Sequence, residues 1–185
     1  MNQIDQLIHN YEDFASLPWD QSLAGAQRVW FAVYDKQEER RLRFRIDDFK
    51  LATGRAKRRW ELCDLTNHFA TWMAGHKYRD AYFASPNKLD GAPLGAFKSS
   101  AAELVRSMLD RSNANTVVAL SGIGSLFGII YASELISQIQ NSIKGRMLVF
   151  FPGEYANNMY RLLDARDGWN YLAVPITAYM GRERR

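Results

Sequence analysis

Three short runs constrain this chain most. VWFAVY at 29–34, TVVAL at 116–120 and MLVFF at 147–151 are apolar at nearly every position. A strand with one face in water alternates apolar and polar residues, whereas an unbroken run is covered on both faces. Elsewhere the apolar residues recur at helical spacing. Ile4, Leu7, Ile8, Tyr11 and Phe14 form one stripe, and Leu42, Ile46 and Phe49 another. Strand-like and helix-like segments alternate along the chain, which predicts a three-layer α/β sandwich around a mostly parallel sheet.

The order of elements follows from breakers and caps. Pro18 ends the first helix, so residues 1–28 are expected to form a helical segment ahead of a single α/β domain over 29–185. Asp35 sits where a helix cap belongs, and Gly54 is the expected stop of the helix that follows. RWELCDL at 59–65 reads as a second strand. Asp64 or Thr66 would cap a helix ending near Gly75. The Pro-, Gly-, Asn- and Asp-rich stretch 84–97 reads as a loop. Helices are then expected over 101–109, 126–143 and 159–163, and a last strand over 171–176.

A chain of 185 residues, 47% apolar and 24% charged, can bury a core of its own. No apolar run approaches the ~20 residues that span a membrane. The amino-terminal residues include acids and lack a basic-then-apolar layout, so no signal peptide is read there and the cytoplasm is the expected compartment. Cys63 is the one cysteine, set among apolar neighbours and expected to be a buried structural thiol. His9, His68 and His76 are too scattered for metal-ligand spacing. No nucleophile elbow is present, and the adjacent acids Asp47 and Asp48 fall on a predicted solvated helix face. No catalytic residue, metal or cofactor is expected.

Three constellations carry possible function. The first is the turn Ser121-Gly122-Ile123-Gly124-Ser125 between a strand and an apolar helical stretch. Its glycines would permit a tight turn and close approach of an anion, in a Rossmann-like arrangement. A P-loop needs Lys and then Ser or Thr after its last glycine, and here Gly128 is preceded by Leu126 and Phe127 and followed by isoleucines. A packing turn is the simpler reading. The second is PGEYANN, 152–158, expected as a loop at the same sheet edge, where Glu154, Tyr155, Asn157 and Asn158 would face Ser121 and Ser125; a polar turn with an asparagine cap, its backbone set by Pro152 and Gly153, is the simpler reading. The third is basic. Ten lysines and arginines against four acids leave +6 between Lys36 and Arg59, whereas the whole chain is +4. Arg40, Arg41, Arg43, Arg45, Arg55, Lys57, Arg58 and Arg59 would form a patch for a protein partner, or a solvated face partly paired with Glu38, Glu39, Asp47 and Asp48; weak, salt-sensitive, non-specific contact with DNA is the lesser reading.

The stretch MLVFFPGEYANNMYRLLDARDGWNYLAVPI resembles the carboxyl-terminal signature of the BrxB family of BREX anti-phage systems. VVALSGIGSLFGIIYASELISQIQ is similar to that family's Gly-x-Gly-Ser strand–helix, and VWFAVYDKQEERRLRFRIDDF to its amino-terminal strand and charged helix. The resemblance implies an accessory role in phage defence with no established catalytic activity. It also implies a degenerate P-loop NTPase-like α/β domain without the phosphate-binding lysine. The partners it implies are other BREX components, first a PglZ-like protein, then a BrxC-like ATPase or the methyltransferase. The combined expectation is an assembly subunit that works by protein–protein contact. Nucleotide or anion binding at Gly122–Ser125 and DNA binding through 36–59 are the alternatives.

Overall fold

The computed structural model describes residues 2–165 and 171–179. Its helices are α1 (Gln3–Ser16), α2 (Glu39–Phe44), α3 (Ile46–Arg55), α4 (His68–Ala74), α5 (Arg79–Ala84), α6 (Ala92–Arg111) and α7 (Ala132–Ile139). Its strands are β1 (Val29–Tyr34), β2 (Arg59–Asp64), β3 (Thr116–Ser121), β4 (Arg146–Ala156), β5 (Met159–Leu162) and β6 (Val174–Thr177).

The expected mostly parallel sheet is present, in the order β2-β3-β4-β1-β6, with β5 antiparallel to β4. The three apolar runs are its centre. β1 pairs in parallel with β4 along its whole length, from Val29 opposite Met147 to Tyr34 opposite Pro152. Successive side chains point to opposite faces, and each face has its own core. Trp30, Ala32 and Tyr34 meet Leu7, Tyr11, Leu42 and Phe49 from α1, α2 and α3. Phe31 and Val33 meet residues of α6 and α7, with Tyr160 of β5. The helical stripe read at Ile4, Leu7, Ile8 and Tyr11 is the buried face of α1.

Aromatic packing concentrates on β1. Phe31 stacks on Phe151 with centroids 5.0 Å apart and meets Tyr160 edge-on at 4.6 Å. The buried Tyr160 hydroxyl donates to the Ala173 carbonyl at 2.6 Å, which ties β5 to the approach to β6. At the amino edge of the sheet, arginines bind the α1–β1 connection through its carbonyls. Arg28 donates to Gln21 and Leu23, and the buried Arg146 to Asp20; Arg28 also donates to Ile143, just ahead of β4.

Several expected elements differ. Helix 126–143 shrinks to α7, because the apolar stretch before it first makes a tight 3-10 turn over Ile123–Leu126 and a left-handed Gly128 (φ +77°). The stretch 84–97 is not all loop: a 3-10 turn covers Pro86–Leu89, and α6 starts at Ala92 with Pro93 in its first turn, where a missing amide hydrogen costs nothing. Gly54 lies inside α3. The left-handed residue that ends the helix is Lys57 (φ +59°), whose neighbour Arg58 donates its amide back to the Thr53 carbonyl.

PGEYANN and helix 159–163 are one hairpin. β4 runs on to Ala156, Asn157 and Asn158 turn with φ +52° and +62°, and β5 returns. Two consecutive left-handed residues make the turn whose twist suits a two-residue hairpin, and asparagine tolerates that conformation. Of the quoted carboxyl-terminal signature, residues 166–170 lie outside the described residues.

Phe31→Ala would open a void between both aromatic partners and should lower unfolding free energy by about 3–5 kcal/mol in urea titration.

Candidate functional site

A cleft of about 860 Å³ opens at the carboxyl edge of the sheet. It lies over the ends of β1, β4 and β6. The chain leaves β1 toward the α2–α3 face, but leaves β4 by way of β5 on the opposite face. Two neighbouring parallel strands whose connections diverge leave a crevice between them, the usual ligand position in open α/β sheets.

The β1 end contributes Tyr34, Asp35, Lys36 and Gln37, and the hairpin contributes Gly153, Glu154, Tyr155 and Ala156. Leu163, Asp164, Thr177 and Tyr179 close the far side. Asp35 is also the cap read in the sequence: its Oδ1 accepts the Gln37 amide at 2.9 Å. Lys36 is paired to Asp164. Tyr155 donates to Asn158 Oδ1 at 2.7 Å and packs on Tyr160, which fixes its ring on the hairpin. Behind Asp35, the buried Tyr34 hydroxyl donates to Glu39, and burial followed by that carboxylate raises its pKa. Asp35, Glu154 and Asp164 against Lys36 leave the rim net negative. Such a rim attracts a cationic group and repels phosphate.

The glycine turn stands beside this cleft. Gly122 is left-handed (φ +79°), and a Cβ there would come within 2.6 Å of Thr66 Oγ1 and 2.7 Å of its Cα. Gly124 abuts the Pro152 ring, where a Cβ would sit at 3.2 Å, and Leu163 beyond it. The turn thus does meet the Pro-Gly-Glu-Tyr segment, and Pro152 makes the contact; Glu154 and Tyr155 line the cleft. The Ser125 and Phe127 amides donate to the Gly122 and Gly124 carbonyls. Ser121 is buried at the end of β3 and bonds the Asp64 carboxylate. Partial burial alone would raise the Asp64 pKa. Hydrogen bonds from the Thr66 side chain and amide and from Ser121, with the Arg43 charge, outweigh it and hold the carboxyl below its ordinary range. The cradle therefore has a carboxylate beside it, and close packing accounts for Gly122 and Gly124. Gly122→Ala should cost roughly 2–4 kcal/mol and Gly124→Ala at most about 1 kcal/mol, read from chemical denaturation.

The basic segment divides on inspection of its partners. Arg41 pairs with Glu38 at 2.5 Å, Arg43 with Glu39 at 2.7 Å, and Arg45 with Asp5 at 2.6 Å and with Asp48. Arg55 grips both oxygens of Glu12, at 2.7 and 2.6 Å. Arg58 lies 4.1 Å over the Trp19 ring and bonds Asn115 Oδ1 at 2.5 Å, and Arg40 lies over Phe44. Lys57 and Arg59 have no acidic partner among the described residues. Four of the eight cations read as a patch are thus paired, Arg41 and Arg43 locally around α2, and Arg45 and Arg55 with α1.

The Arg55 hydrogen bonds and charge hold the Glu12 carboxyl below its ordinary range. A carboxyl pKa lowered by folding contributes stability above its unfolded value, and that contribution is lost as pH falls through the folded value. Glu12→Gln should therefore be less stable than the parent near neutral pH and converge with it at about pH 2, measured by urea unfolding.

Cys63 is 4% exposed, and burial followed by the Asp64 charge pushes its thiol up to about 11, which makes it a poor nucleophile. Among the described residues, no three His, Cys, Asp or Glu side chains are grouped as a metal site. Among them also, no helix is long and apolar enough to cross a membrane.

Sequence reasoning singled out Gly153, Glu154 and Tyr155, as part of a loop beside the glycine turn, but not Lys36, Asp164, Thr177 or Tyr179, and took Asp35 only as a cap. Their meeting depends on β1 lying between β4 and β6, and strand order leaves no local mark. A family model described as BREX protein BrxB matches residues 88–176, which take in α6, the glycine turn, the hairpin and most of β6. No curated protein and no solved structure matches the chain.

Proposed function

We propose, for a chain that belongs to the BrxB family and is thereby a component of BREX phage defence, an accessory role without catalysis: it holds other components together by protein–protein contact. The observation that carries this reading is the β4–β5 hairpin. β1 pairs with β4 only as far as Pro152, so Gly153–Ala156 and β5 form a two-stranded ribbon past the sheet edge. The ribbon is one wall of the cleft and lies within the matched residues.

A ribbon beside an open groove offers a partner both an edge and a pocket. The negative rim favours a segment carrying Lys or Arg. A PglZ-like protein is the first candidate, with a BrxC-like ATPase or the methyltransferase next. The same rim weighs against a nucleotide in the cleft, and the paired state of Arg41, Arg43, Arg45 and Arg55 weighs against DNA binding through 36–59.

Co-expression with the neighbouring defence genes should recover a stoichiometric partner under gentle conditions. Replacing Glu154→Lys and Asp164→Lys, both exposed, should lower that recovery about tenfold with the melting temperature retained. Equal recovery with both replacements would remove the cleft from the reading, and recovery of the protein alone would remove the assembly role.

A further inference from the structure

The two edges of the sheet are finished differently. β6 carries Pro175, and Asn10 of α1 donates to its Thr177 carbonyl at 2.6 Å. Proline and a covering helix are ways of closing an edge against strand addition. β2, at the other edge, has neither among the described residues.

The direction of its backbone groups can be read from its bonds. Arg59 donates its amide to Asn115 and Leu65 to Ser121, each at 2.9 Å. Odd-numbered residues therefore face β3. The amides and carbonyls of Trp60, Leu62 and Asp64 point the other way, since neighbours along a parallel strand alternate in direction. A row of outward peptide groups is matched in register only by another extended strand. Leu62 beside it is 39% exposed.

The side chains select which strand. Arg59 and Glu61 lie two apart, on one face of β2, and both are exposed. Neither has a charged partner among the described residues, although most arginines just before them do. An edge that carries an unpaired cation and an unpaired anion at this spacing is its own complement.

We propose that β2 pairs antiparallel with β2 of a second copy, about a two-fold axis through Trp60. Arg59 then stands opposite Glu61 of the copy, and Glu61 opposite its Arg59. Trp60 exchanges both backbone bonds with its equivalent, and the Leu62 amide reaches the Arg58 carbonyl. A register centred on Leu62 would set Glu61 against Cys63 and leave the charges unmatched. One centred on Glu61 would set the two glutamates against each other. Opposite charges facing each other across a strand pair are favourable and like charges are not, so the Trp60 register is the one selected. The two sheets become one continuous sheet, and the clefts at their carboxyl edges stay open. This inference does not rest on the cleft or on any BREX partner.

Sedimentation equilibrium of the full chain at low salt should give a dimer, twice 21.3 kDa. Glu61→Arg should weaken the dimer at least tenfold, by placing two arginines opposite each other. The swap Arg59→Glu with Glu61→Arg should restore it, which a merely structural role would not do. Leu62→Pro removes an outward amide while sparing the bonds to β3, so it should give a folded monomer. A wild-type monomer at about 100 μM, far above a specific dissociation constant, overturns the proposal. So does a dimer that Glu61→Arg leaves unchanged, or a charge swap that fails to restore what the single change removes.

Discussion

The pairing of β1 with β4 is the constraint on which the other parts depend. Both strands are apolar on both faces, so their peptide groups can be satisfied only by each other and by further strands. Their side chains must then be covered above and below. Parallel strands cannot be joined by a tight turn, and each connection therefore runs over a face and brings helices with it. α1, α2 and α3 cover one side of β1, and α6 and α7 cover the other. The cleft is a by-product of the same geometry. It opens where the chain departs from β1 and β4 toward opposite faces.

Close packing decides what happens beside that cleft. The glycine turn has the residues of an anion cradle but meets Thr66 at Gly122 and Pro152 at Gly124. Four arginines of 36–59 are similarly paired within the protein, and Asp5 and Glu12 of α1 draw Arg45 and Arg55 toward the first helix. In both places a motif suited to a phosphate is satisfied by the protein itself. The groups left without a partner among the described residues are elsewhere, at Glu154 on the rim of the cleft and along the outer edge of β2.

Much of the fold was legible in particular residues. The runs at 29–34, 116–120 and 147–151 are central strands because nothing in them tolerates water. The stripe from Ile4 to Tyr11 is buried as its spacing requires. The hairpin was not read, although Asn157-Asn158 carried its signal, because the Pro-Gly before it suggested a break in the strand. Helix 126–143 failed for a related reason: helical periodicity in a short apolar stretch does not distinguish a helix from a turn whose apolar side chains happen to be buried. Ile123, Leu126 and Ile130 are in the core without belonging to α7.

The sequence by itself determined the class of the fold, its parallel central strands and the apolar face of α1. It also held the motifs that resemble the BrxB family. These depend on local periodicity and on residue types that one segment carries alone. Only the tertiary structure decided that Asp35, Glu154 and Asp164 share a rim, that Gly122 is filled by Thr66, and that Arg59 and Glu61 stand on an open edge. Each of those facts is a meeting, or a missing neighbour, set by strand order. That order comes from how all the faces are covered together and is written in no single stretch of the chain.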